Sequence, residues 1–201
     1  MNKIIYLVRH GKIDTDDKKR YIGFSDILLN EEGVNQGKKL KKFFSEIYIE
    51  KIYCSDLSRT RKTAEIISEG RNIEKVELKE LREINMGKWE NRTFEEIKNK
   101  YPKEFENRGK YIKDFTPDGG ESFGVFKDRV LNIFKGIVLD TKESTVIVAH
   151  AGVNRIILSD ILGISLENIF KIKQDYGCIN KIIVNQSTTS ISTVNYTLSH
   201  I

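Results

Sequence analysis

The sequence is poor in cysteine, proline and histidine, and it lacks any long hydrophobic run. Its two cysteines, Cys54 and Cys178, stand far apart without CxxC spacing. That excludes a disulfide framework and a cysteine-based metal centre, and it points to a reducing cytoplasm. The two prolines, Pro102 and Pro117, fall in one stretch, and no low-complexity segment or internal repeat occurs. The longest apolar run, Ile4 to Val8, has five residues and follows Lys3 directly. It is far too short to span a membrane and has no signal-peptide pattern before it.

What remains is a chain of 201 residues, 39% hydrophobic and 31% charged, with net charge +5 and pI about 9.0. That suits one soluble domain over residues 1–201 with a sizeable core. The basic balance is compatible with nucleic acid, an anionic small molecule or a lysine-rich surface. Lys38, Lys39, Lys41 and Lys42 share the outer face of a helix with no interleaved aromatics, so they read as a solvated face rather than a nucleic-acid patch.

Ile4-Ile5-Tyr6-Leu7-Val8 reads as a strand buried on both faces, and it ends abruptly in Arg9-His10-Gly11. A polar loop, Lys12 to Asp26, follows. Asn30 is the expected N-cap of a helix to about Ile47, with Leu40, Phe43, Phe44 and Ile47 facing the sheet. Lys51 to Cys54 is a second strand. Ser55-Asp56 is expected to cap a helix from Leu57 to Glu69, with Arg59 in its first turn, where the helix N-terminus and the guanidinium favour the same anion. Val76 to Leu81 is a third strand, followed by Arg82-Glu83.

A charged stretch from about 91 to 120 holds short helical pieces interrupted by both prolines, and it is expected as an insertion over the ligand edge. Phe123, Phe126, Val130, Phe134 and Ile137 then fall at core spacing along a longer helix. Thr145 to Ala149 is another buried strand, and it too ends in histidine: His150-Ala151-Gly152. The next helix carries Val153, Ile156, Ile157 and Ile161 on one face. Cys178 to Val184 and Ile191 to Thr197 are expected as a final hairpin. Strands alternating with helices predict a three-layer α/β/α fold around a mostly parallel mixed sheet.

Two of the three histidines thus follow buried strands directly, at the edge where such sheets bind ligands. The third, His200, sits one residue from the end and reads as a tail. With Arg9 and Arg59, His10 and His150 describe a site for a dianion such as phosphate. Arginine grips phosphate bidentately, and neighbouring cations keep an imidazole neutral and therefore nucleophilic. A leaving alcohol would also need a proton donor, for which a carboxyl group near the anion is suited.

These residues match a family. Leu7-Val8-Arg9-His10-Gly11, Ser55-Asp56-Leu57-Ser58-Arg59-Thr60 with Thr63-Ala64, Leu81-Arg82-Glu83 with Gly87 and Trp89-Glu90, and Val148-Ala149-His150-Ala151-Gly152 together resemble the histidine phosphatase superfamily. That superfamily includes the phosphoglycerate mutases. The resemblance implies a phosphoglycerate mutase-like fold, a phosphomonoester substrate, no cofactor and no metal. It implies that His10 is the phosphorylated nucleophile and Glu83 the proton donor and acceptor. Arg9, Arg59 and His150 would hold the phosphoryl oxygens, assisted by Gly23 and Gly152.

Within the superfamily, Arg20-Tyr21-Ile22-Gly23 through Gly33, and Gln174 through Asn180, look most like the alpha-ribazole phosphatases of cobalamin synthesis. Related broad-specificity phosphatases share much of this, and the alternative reading is a broad-specificity or sugar-phosphate phosphatase or a phosphoglycerate mutase-like enzyme. Two positions depart from the usual pattern. Lys12 stands where Glu or Gln is common, and Asp16 stands where members often carry an Asn that donates to phosphate, which an ionised carboxylate cannot do. Lys12, or an amide near Ile22-Gly23, is the expected substitute. The partner expected is a small phosphorylated substrate, with neither nucleic acid nor membrane, for a monomer or homodimer. The aromatics Phe94, Tyr101, Phe105, Tyr111 and Phe115 would either flank a flat leaving group or form the insertion's own core.

Overall fold

A computed structural model describes residues 2–16 and 18–198, so His200 lies outside the described residues. The chain runs β1 (Lys3–Arg9), α1 (Glu31–Phe44), β2 (Lys51–Cys54), α2 (Ser58–Ser68), β3 (Glu74–Glu77), α3 (Phe94–Lys100), α4 (Pro102–Lys110), α5 (Phe123–Asp140), β4 (Ser144–Ala149), α6 (Ala151–Leu162), β5 (Ile179–Val184) and β6 (Thr189–Tyr196). Short 3₁₀ helices cover Lys79–Leu81, Gly87–Trp89 and Leu166–Lys171. The strands form one six-stranded sheet in the order β3-β2-β4-β1-β5-β6. β3, β2, β4 and β1 are parallel, and β5 and β6 add an antiparallel hairpin beside β1. This is the mostly parallel mixed sheet that the alternation of elements predicts.

β1 shows why its run is apolar throughout. Ile5 and Leu7 enter one core, with Phe126, Val130 and Ile137 of α5 and Val153, Ile156 and Ile157 of α6. Tyr6 and Val8 enter the other, with Leu40 and Phe44 of α1 and Ala64 and Ile67 of α2. Side chains alternate across a strand, so a strand covered on both faces needs an apolar residue at every position. Burying each such side chain contributes about 1.5–3 kcal/mol.

Several boundaries differ from the sequence reading. β3 ends at Glu77 rather than Leu81, because its partner β2 ends at Cys54 and pairing stops at Cys54↔Glu77. The chain then turns to bury Leu81 and to carry Glu83 toward the sheet edge. α2 has no side-chain cap of its own, Ser55 and Asp56 included. Asp26 caps it from the preceding loop, accepting from Ser58 N and Ser58 Oγ at 2.8 and 2.7 Å. Asp56 instead forks onto Arg82, both bonds 2.6 Å.

Pro102 begins α4, where its missing N–H costs nothing. The final turn falls at residues 185–188, built on Asn185 Oδ1, which accepts from Ser187 N and Thr188 N at 3.0 and 2.7 Å. Cys54 and Cys178 are buried free thiols. No helix among the described residues is long and apolar enough to cross a membrane.

Candidate active site

Parallel pairing puts the two histidines side by side. β1 and β4 run in register to Arg9↔Ala149, so the next residue of each strand, His10 and His150, leaves the same edge. Their rings lie 5.1 Å apart, edge to face. His10 is fixed by its backbone, its N–H donating to Ala149 O at 3.0 Å and its carbonyl accepting from Gly177 N at 3.1 Å. Its Nδ1 lies 2.7 Å from Gly11 O. A carbonyl only accepts, so Nδ1 carries the hydrogen and Nε2 keeps its lone pair. Gly11 is glycine because a Cβ there would overlap the Gly33 carbonyl.

Arg59 is almost wholly buried, at 1% exposure. Its Nη1 and Nη2 donate to Ser25 O and Gly23 O, both at 2.7 Å, and its Nε to His150 Nδ1 at 3.3 Å. His150 Nε2 in turn lies 2.8 Å from Ser55 Oγ, which lies 2.7 Å from Thr60 Oγ1. The loop offering those two carbonyls is shaped by Glu90. That carboxylate accepts from Gly23 N, Phe24 N, Ser25 N, Ser25 Oγ and Met86 N, at 2.6–3.2 Å.

Arg9 donates through Nη1 to Gln174 O at 2.7 Å, and its guanidinium lies 3.7 Å over the Tyr176 ring. Its Nε is buried without a hydrogen-bond partner, and an orphaned cationic donor in a cavity wall calls for an anion. The Glu83 carboxylate accepts from Ile84 N at 3.0 Å and Gly152 N at 2.9 Å. Arg20 forks onto Asp16 through Nε and Nη2, both 2.7 Å.

Arg9, His10, Arg59, Glu83 and His150 line one cavity of about 130 Å³, together with Ile13, Arg20, Ile22 and Tyr176. Sites enclosing a drug-sized ligand run to roughly 300–1,000 Å³. This one therefore has room for a head group alone. Burial, then the charges of Arg59 and Arg9, hold His10 well below the ordinary imidazole value. Burial, then Arg59, His10 and Arg9, do the same to His150. The cavity thus presents neutral imidazoles, fixed cations and one carboxyl group, which together can bind a dianion and attack it.

The structure brings together five of the seven residues singled out in the sequence. The two glycines are adjacent but differently employed. Gly23 N is taken by Glu90 and Gly152 N by Glu83, so both amides are already engaged by side chains of the protein. Lys12 does not line the cavity; its Nζ pairs with Glu32 at 2.6 Å on the outer surface. None of the aromatics from the 91–120 stretch lines it either. Phe94 stacks on Tyr21, Phe115 packs on Trp89, and Tyr101 and Phe105 pack against the main core.

Three residues escaped the sequence reading in their actual roles: Ser55, Glu90 and Arg20. In the sequence Ser55 reads as a helix cap, and Glu90 only as part of a motif. Asp16 and Arg20 lie in a loop, where a spacing of four carries no pairing signal. Among the described residues no group of three or more histidine, cysteine, aspartate or glutamate side chains is placed to hold a metal ion.

Residues 5–197 match the histidine phosphatase superfamily (branch 1). The adenosylcobalamin/alpha-ribazole phosphatase of Salmonella typhimurium is 25% identical over 192 residues, 95% of either chain. Phosphoserine phosphatase 1 of Hydrogenobacter thermophilus is 31% identical over 185 residues, covering 90% of this chain and 83% of its own. The crystal structure of the alpha-ribazole phosphatase from Shigella flexneri has the same fold, with a TM-score of 0.88 at 23% identity over 96% of both chains.

Proposed function

The chain belongs to the histidine phosphatase superfamily, and from that premise we propose that it hydrolyses phosphomonoesters through a phosphohistidine at His10, with alpha-ribazole 5'-phosphate as substrate. The observation that carries the chemistry is the His10 tautomer. Nδ1 is committed to Gly11 O, so the Nε2 lone pair is left free in a cavity with Arg9 and Arg59. Nε2 attacks phosphorus and forms a P–N bond while the ester P–O bond breaks. Glu83, in its protonated form, hands its proton to the departing oxygen. The Glu83 carboxylate then takes a proton from water, whose oxygen attacks phosphorus. The P–N bond breaks, and inorganic phosphate and neutral His10 are regenerated.

Arg9 Nε and the uncommitted N–H groups of Arg59 hold the phosphoryl oxygens. His150 joins them once the bound dianion draws Arg59 Nε from His150 Nδ1 and favours protonation of that nitrogen. In this reading the segment 91–120 covers the mouth, a role supported by the bond from Arg20 Nη1 to Asn91 O at 2.8 Å.

The substrate reading rests on end-to-end likeness to alpha-ribazole phosphatases and on the character of the mouth. Ile22 and Tyr176 line it half-buried, and Arg20 is neutralised by Asp16. A phosphoserine or phosphoglycerate carboxylate would call for an uncompensated cation there. The test is twofold. Rapid quenching should trap an acid-labile, base-stable phosphoenzyme that is lost in His10→Ala; full activity in that variant sinks the mechanism. Alpha-ribazole 5'-phosphate should be hydrolysed with a kcat/KM at least about tenfold above that for 3-phosphoglycerate or phosphoserine. The reverse order assigns a different substrate to the same chemistry.

A further inference from the structure

Arg20 lines the same cavity as Arg9 and Arg59 but is held in another way. Arg9 and Arg59 are fixed by backbone carbonyls and form no salt bridge among the described residues. Arg20 lays its Nε and Nη2 across both oxygens of Asp16. The Asp16 side chain is 43% exposed and that of Arg20 23%, whereas His10, Arg59 and His150 are buried. The pair therefore stands at the mouth, where a leaving group has to lie.

A guanidinium has five N–H groups. Two go to Asp16 and one to Asn91 O, so two remain, while the Asp16 oxygens keep lone pairs to spare. The rim thus offers donors and acceptors together, with no net charge.

We infer that the Asp16–Arg20 pair determines specificity, selecting phosphomonoesters whose leaving group is a neutral polyol or sugar and turning away those that carry a carboxylate. A hydroxyl can donate to Asp16 and accept from Arg20 at once. A carboxylate is attracted by Arg20 but repelled by the Asp16 carboxylate bonded to it, so little remains to offset its lost hydration. Asp16 is then no poor substitute for a phosphate-donating Asn. It is the group that cancels the charge of Arg20. The inference rests on the phosphomonoester reading above but not on the choice of alpha-ribazole.

The test uses racemic glycerol 3-phosphate and racemic 3-phosphoglycerate, which differ only in a hydroxymethyl group replacing a carboxylate. Wild type should favour glycerol 3-phosphate in kcat/KM by at least about tenfold. Asp16→Asn leaves the Arg20 charge unopposed and should shift the ratio toward 3-phosphoglycerate by about tenfold or more. Arg20→Gln should lower turnover of glycerol 3-phosphate without improving the acid. Competition by both compounds against p-nitrophenyl phosphate gives the same ratio if either is turned over too slowly.

A ratio unchanged within about twofold in Asp16→Asn overturns the inference. So does an equal gain on both substrates, which would place residue 16 at the phosphate instead. A wild-type protein that hydrolyses no phosphomonoester, p-nitrophenyl phosphate included, overturns the proposed function itself and this inference with it.

Discussion

Arg59 Nε donates to His150 Nδ1, and that bond obliges the two histidines of the site to hold opposite tautomers. His150 Nδ1 accepts and is unprotonated, so its hydrogen sits on Nε2 and is donated to Ser55 Oγ. His10 is the reverse, with its hydrogen on Nδ1 facing Gly11 O. ¹⁵N-edited NMR of the free protein should show one imidazole of each kind. Ser55→Ala strands the His150 Nε2–H in a buried place, so stability should fall by about 1–3 kcal/mol. The His150 resonances should then shift while those of His10 stay put.

Acid should weaken the fold in a defined window. Both imidazoles are held well below their ordinary value of 6.5. As pH falls below that value the unfolded chain takes up these protons and the folded chain does not. Stability that is complete above about pH 6.5 is therefore lost going down, by up to about 1.4 kcal/mol per pH unit for each histidine. Urea unfolding at pH 7, 6 and 5 measures the slope, and His10→Asn should remove up to half of the histidine contribution. Saturating vanadate should flatten it, because a bound anion restores proton affinity to His150 in the folded state.

Glu83 is tested through the leaving group. Glu83→Gln should slow hydrolysis of an alkyl phosphate by roughly 10²–10⁴-fold. p-Nitrophenyl phosphate should suffer far less, since its phenolate departs without a proton. Equal losses on both would assign Glu83 to holding Gly152 N and Ile84 N rather than to proton transfer.

Glu90 never lines the cavity, yet it shapes the loop whose carbonyls hold Arg59. Glu90→Gln offers one acceptor oxygen and an amide that must face backbone donors. It should cost at least about 3 kcal/mol by unpairing part of that set. Vanadate affinity should fall as well. Combining it with Arg59→Lys should weaken anion binding by less than the sum of the separate losses, as expected for residues acting through one another. Strict additivity in the double mutant would show that Glu90 serves the fold alone.

Gly23 belongs to the same construction. A Cβ there would drive into the Ile84 carbonyl and the Glu90 carboxylate. Gly23→Ala should therefore reproduce the Glu90 phenotype in milder form, with thermal melting and vanadate affinity moving together.

The parts legible in the sequence were those encoded by neighbours. Ile4 to Val8 announces a two-faced strand by composition alone, and the spacing of Phe123 through Ile137 names the buried face of α5 without error. His10 and His150 could be placed because each ends a strand, and parallel strands share an edge. Ser55, Glu90 and Arg20 could not be placed in the same way. Ser55 meets His150 across 95 positions, and Glu90 meets Ser25 across 65. No local pattern distinguishes a serine that caps a helix from one that orients an imidazole. The end of β3 was misplaced for a related reason, since a strand lasts only as long as its partner.

The position of β1 between β4 and β5 has a consequence for the order in which the protein comes into being. His10, the proposed nucleophile, leaves the ribosome long before either neighbour of its strand, since β4 and β5 both follow far along the chain. Asn180, whose side chain bonds Leu7 O, follows it by 173 positions. At 5–20 residues per second that is a delay of roughly 10–35 s. Throughout that interval His10 is an ordinary imidazole on a tethered chain. A nascent or prematurely terminated chain that stops short of β4 therefore carries no phosphatase activity, so a truncated product is inert and poses no hazard to the phosphate esters around it.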